Sequence, residues 1–103
     1  MVQIRWLKDA KEDLKEVFEY IALDSKRYAQ LQIEKIVSRT KILRDPNFIN
    51  SGKLVRELER EDIRELVEGN YRIIYKVINN NMIHILMIHH NARDLTKRRK
   101  KLN

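Results

Sequence analysis

Two long apolar runs, YRIIYKVI (Tyr71–Ile78) and MIHILMIH (Met82–His89), flank three asparagines. Runs that are apolar at nearly every position read as central strands covered on at least part of both faces. The asparagines between them suit a hairpin turn, because they tolerate left-handed backbone geometry. A chain with such a hairpin must supply layers to cover it. If the asparagines close a three-residue turn, Ile78 pairs with Met82 and Arg72 falls opposite Ile88. His90 then lies diagonally beside Arg72 on the same face.

The first half of the chain changes period. VQIRW alternates Val2, Ile4 and Trp6 with Gln3 and Arg5, which predicts a strand with one buried face. Ala10, Leu14, Val17, Phe18 and Ile21 recur at helical spacing, with Asp9 as N-cap and a solvated stripe of Lys11, Glu12, Lys15, Glu16 and Glu19 opposite. Asp24 or Ser25 caps a second helix with Ala29, Ile33, Ile36, Val37 and Thr40 on its apolar side. That helix is expected to stop near Arg44, because Pro46 disfavours helical geometry at Asp45. PNFINSG reads as a loop, and KLVREL and DIREL as short strands. The expected fold is α+β: an N-terminal strand, an antiparallel helical hairpin, then a twisted antiparallel sheet of about three to four further strands. The sheet face away from the helices is expected to stay partly open.

Size and charge narrow the function. A chain of 103 residues with 43% hydrophobic residues builds one modest core. The expected division is one domain over residues 1–95 and a basic tail over 96–103. There is no cysteine, so disulfides and thiolate chemistry are excluded. No apolar run is long enough to span a membrane and no signal layout opens the chain, so the expected location is the cytoplasm, without a membrane partner. Lys+Arg 22 against Asp+Glu 15 gives a formal net charge of +7, much of it at the C-terminus, which points to an anionic partner. Lys97, Arg98, Arg99, Lys100 and Lys101 are the nucleic-acid candidates. They lack interleaved aromatics, so they predict phosphate contacts rather than base stacking.

Catalytic chemistry has few footholds. His89 and His90 point to opposite strand faces, and His84 and His90 are too far apart to share an ion, so no metal or other cofactor is expected. No glycine-rich phosphate loop and no serine elbow occur. Metal-free RNA cleavage needs a base, an acid and cations at the phosphate. Lys53, Arg56, Glu57, Arg64, Arg72 and His90 are residues of the right types. The structural alternative is an exposed Arg72 paired to Glu65 or Glu68, and a strand-end histidine in water.

YIALDS after an amphipathic helix, then IREL, GNYRIIYKV and IHILMIHHNARDL, in that order, resemble the ParE/RelE superfamily of type II toxin–antitoxin toxins. The resemblance runs roughly from Val2 to Leu95. It implies a strand, a helical hairpin and an antiparallel sheet. It also implies one of two activities. RelE-like members cut messenger RNA in the ribosomal A site, and ParE-like members poison DNA gyrase without established catalytic residues. Arg72 and His90 match residues of a ribonuclease subgroup, and Arg56 or Glu57 sits near its glutamate. Asn91, however, stands where that subgroup has a tyrosine after the histidine, and no tyrosine follows Tyr75. The ParE-like branch is therefore favoured over a RelE-like ribonuclease using Arg72 and His90. A non-toxic nucleic-acid-binding module and a degenerate toxin are further alternatives. The resemblance implies an acidic antitoxin as partner, with promoter DNA bound only through the antitoxin complex. Val17, Tyr20, Ile21 and Arg93 are its expected contacts.

Overall fold

The structure is a computed structural model that describes residues 1–98 and 102 in full and the backbone of 99–101. Strand β1 (Gln3–Trp6) leads directly into helix α1 (Lys8–Ala22), and α2 (Lys26–Arg39) follows after a short turn. Leu7, not Asp9, occupies the N-cap, and Asp9 falls in the first turn, where its charge favours the helix dipole. Ser25 caps α2, its Oγ accepting from the Tyr28 amide at 3.1 Å. A 3-10 helix (Thr40–Arg44) extends α2 as far as the position where Pro46 was expected to end it. A second 3-10 turn (Pro46–Phe48) begins at that proline.

The sheet has five strands: β1, β2 (Lys53–Leu54), β3 (Ile63–Glu68), β4 (Tyr71–Asn79) and β5 (Met82–His90), in the order β1-β5-β4-β3-β2. The expected strand, helical hairpin and sheet are all present, but the sheet is mixed. β1 runs parallel to β5, pairing Gln3–Trp6 with Met82–Ile85. Only Lys53 and Leu54 of the KLVREL segment enter the sheet.

The central hairpin departs from expectation in its turn and in its register. No residue other than glycine has positive φ among the described residues. The asparagine turn is instead held by Asn79 Oδ1, which accepts from the Asn81 amide at 2.8 Å. Left-handed backbone serves the β3–β4 turn, at Gly69 (φ 59°). Met82 pairs with Asn79 rather than with Ile78, the expected register then holds for Val77–Ile83, Lys76–His84 and Tyr75–Ile85, and it slips by one residue at Leu86. Beyond this bulge Arg72 faces His89, and Tyr71 faces His90. A one-residue slip moves every later side chain to the other face. His90 therefore does not share a face with Arg72, nor with His84.

Two clusters of apolar side chains sandwich the sheet. The helices cover Ile73, Tyr75, Ile83, Ile85 and Ile88 with Ala10, Ile36 and Leu43. The other face was expected to be partly open, but over Ile63, Ile74 and Met87 it is closed by Val55, Leu58, Leu95 and Leu102. Leu95 and Leu102 bracket a C-terminal 3-10 helix (Leu95–Leu102), so the basic segment 95–102 packs back on the sheet. Arg60 helps to hold it there, donating to the Leu102 carbonyl at 3.3 Å. No helix among the described residues is long and apolar enough to cross a membrane.

Candidate functional site

Arg72 is the cation that an RNA-cleaving site would need, and its surroundings are carboxylates. It sits on β4, on the face away from the helices, and is buried. Its Nε donates to Glu65 Oε2 at 2.6 Å and its Nη2 to Glu65 Oε1 at 3.0 Å. Both terminal nitrogens also grip Glu57, at 2.8 and 2.9 Å. These contacts use four of the five guanidinium N–H groups. The hydrogen bonds from Arg72 hold the Glu57 carboxyl down at about 2, and the two carboxylates push the arginine above its ordinary range. Glu65 was the expected structural partner, but the pair is buried rather than exposed, and Glu57 joins it from the loop after β2.

The other catalytic candidates scatter. Lys53 lies across from Glu65 on the sheet edge and is exposed, as is Arg56. Arg64 pairs across to Tyr75 on the helix side and donates to the Gly52 carbonyl at 3.0 Å, leaving its buried Nε without a hydrogen-bond partner. His90 faces the helices. Its ring stands edge-on to Tyr71, centroids 5.3 Å apart. Its Nδ1 accepts from the Ala92 amide at 3.0 Å, so the neutral ring carries its proton on Nε2. Among the described residues, no group of three or more His, Asp or Glu side chains forms a metal cage.

His90 instead helps to line a cleft of about 780 Å³ between α1 and the chain after β5. Glu12, Glu16 and Tyr20 form one wall, and Tyr71, Arg93 and Lys97 line the other side. Val17 also lines the cleft, whereas Ile21, the fourth expected partner contact, does not. Tyr71 is held above the usual phenol range by burial and by Tyr20, with Arg93 pulling the other way, so both side chains lie within electrostatic reach of Tyr71.

The floor of the cleft is a polar knot that the sequence did not announce. Asp13 Oδ2 accepts from the Ile88 amide at 2.9 Å and from Arg98 Nη2 at 2.7 Å. Arg98 Nη1 donates to the Ile88 carbonyl at 3.3 Å and to His89 Nδ1 at 3.4 Å. His89 Nε2 donates to the Arg93 carbonyl at 3.0 Å. Burial pushes His89 below the usual imidazole range, and Arg98 adds to that. Of the nucleic-acid candidates, Lys97 is exposed and Arg98 is engaged in this knot, while the side chains of Arg99, Lys100 and Lys101 lie outside the described residues. Asp13 left one trace in the sequence: it sits three residues after Ala10 and four before Val17, on the buried flank of α1.

Residues 4–95 match the family model described as the ParE toxin of the type II toxin–antitoxin system, parDE. A solved structure of the chromosomal ParDE toxin–antitoxin system from P. aeruginosa aligns with a TM-score of 0.69 and 25% identity, covering 87% of this chain and 96% of that one. The toxin–antitoxin complex RelBE2 from Mycobacterium tuberculosis aligns with a TM-score of 0.60 and 23% identity, covering 90% and 97%, and shares the fold. No curated protein matches the chain. The family match runs from the first strand to the buried Leu95, through the helical hairpin and the central strands, and the chain belongs to the ParE toxin family of type II toxin–antitoxin systems.

Proposed function

We propose that this toxin arrests growth by poisoning DNA gyrase and that a cognate acidic antitoxin neutralises it. One observation carries the choice of target: Arg72 is bound by Glu57 and Glu65 on one sheet face, while His90 is turned to the other. RNA cleavage would require both at one phosphate. A non-enzymatic poison, acting without a cofactor by binding the cytoplasmic gyrase, needs no such convergence.

The antitoxin follows from chemistry as well as kinship. The structural neighbours are toxin–antitoxin complexes. A +7 surface favours an acidic partner. Val17 and Tyr20 in the cleft, Ile21 beside it and Arg93 opposite are the proposed contacts, and promoter DNA is bound through the complex.

The test incubates purified, antitoxin-free protein with DNA gyrase, ATP and supercoiled plasmid, then scores double-strand breaks after denaturation. Gyrase-dependent breaks are expected. Their absence, from protein that still arrests growth, would transfer the assignment to ribosome-dependent RNA cleavage.

A further inference from the structure

The cleft between α1 and the chain after β5 has walls of opposite character. Along α1, Glu12, Glu16 and Tyr20 follow one another at four-residue spacing, so each lies about 6 Å from the next on one helix stripe. Tyr20 is 72% exposed, an aromatic face that the described residues leave largely open. Neither Glu12 nor Glu16 enters an ion pair among the described residues. On the far side, the Arg93 side chain is exposed and makes no hydrogen bond or ion pair there, and Lys97 lines the same wall together with Asp94. Tyr20 and Arg93 each lie within electrostatic reach of Tyr71.

A ligand that fits this arrangement is planar, anionic at one end and rich in hydrogen-bond donors at the other. A plain anion would meet the carboxylate wall, and a plain cation the arginine wall. A nucleotide meets both demands, and a cleft of about 780 Å³ is of the right size for one. The bases differ at the edge that would meet Glu16. Guanine presents N1–H and N2–H side by side, two donors for one carboxylate. Adenine, cytosine and uracil each place an acceptor beside the donor, against the carboxylate charge. Stacking on a tyrosine is available to any base and adds affinity without selecting among them.

We propose that this cleft binds a guanine nucleotide, with the phosphate at Arg93 and Lys97, the base on Tyr20 and the guanine donors on Glu16. The site goes beyond the gyrase reading and does not depend on it. A failed titration leaves the gyrase assay as it was, and an absence of gyrase breaks leaves the titration as it was.

The test is calorimetric titration of the purified full chain with GMP, AMP and inorganic phosphate. GMP is expected to bind at least about tenfold more tightly than AMP or phosphate. In Glu16→Gln the preference for GMP over AMP collapses while phosphate binding stays. In Tyr20→Ala both nucleotides weaken together, and in Arg93→Ala all three probes weaken. A thermal melt like that of the parent chain accompanies each variant as the check on folding. Equal binding of all three probes would mean an unselective anion patch and overturn the proposal. So would a preference for AMP, no binding at all, or a GMP affinity indifferent to Glu16→Gln.

Discussion

The Nε of Arg72 lies 2.6 Å from Glu65 Oε2 inside the sheet face away from the helices, with both side chains about a tenth exposed or less. Glu57 grips the same guanidinium from the loop after β2 and so ties that loop to the sheet. Removing one member of a buried ionic group leaves the others charged and unpaired, which typically costs about 3–5 kcal/mol. Arg72→Ala is therefore expected to lose stability of that order, read as a lower urea midpoint with an unchanged slope. A midpoint within experimental error of the parent would sink the structural role assigned to Arg72.

The same group sets an acid response. Glu57 is held at about 2 in the folded chain, below its ordinary value of 4.5. A depressed carboxylate contributes stability that is fully present above its unfolded value and is lost as pH falls through the folded one. Between pH 4.5 and about 2, stability is expected to drop with acid, and Glu57→Gln should flatten that part of the profile. Denaturation midpoints measured across the window decide it.

Gly52, just before β2, is a tight point against the middle of β3. A methyl group placed there would sit 2.6 Å from the Tyr75 hydroxyl and 2.7 Å from the Glu65 carbonyl. The Gly52 amide already donates to that hydroxyl at 2.9 Å, and Tyr75 donates onward to the Ile49 carbonyl at 3.1 Å. Overpacking of this kind costs about 1–3 kcal/mol. Gly52→Ala should lower the melting temperature accordingly, and a neutral melt would show that the segment moves aside freely.

Burial, and Arg98 beside it, hold His89 below the usual imidazole range. Its nuclear magnetic resonance titration is expected below the ordinary imidazole value of 6.5. Because its folded pKa is depressed, its contribution to stability is present above 6.5 and declines as pH falls below it. Arg98→Gln should raise the His89 midpoint, since it removes a nearby positive charge and opens the floor of the cleft. A midpoint that stays put in that variant would show that Arg98 does not govern the ring.

The helices, the central hairpin and the two-part order of the chain were legible because each rests on a period that water enforces. The bulge at Leu86 was not. Met82–His90 is apolar on both faces over most of its length, so a slip of one residue breaks no visible alternation. That concealed slip is what placed His90 beside Arg72 in the sequence reading and beside Tyr71 in the structure. The docked C-terminus was equally quiet: its anchors, Leu95 and Leu102, stand at the two ends of a basic segment whose charges dominate its composition. The cleft escaped because Glu12 and Glu16 read as a solvated helix face until the chain after β5 lies against them.

Asp13 and Arg98 together imitate a residue of a neighbouring strand. β1 accompanies β5 only as far as Ile85, which leaves the Ile88 peptide groups facing an unpaired edge. A carboxylate takes the Ile88 N–H and a guanidinium serves its C=O, as the backbone of one more strand would do. Exposed edges recruit strands from other chains. Here the vacancy is filled by an ion pair whose halves come from the two ends of the sequence. The plug that keeps this sheet from growing is therefore complete only once both termini have folded.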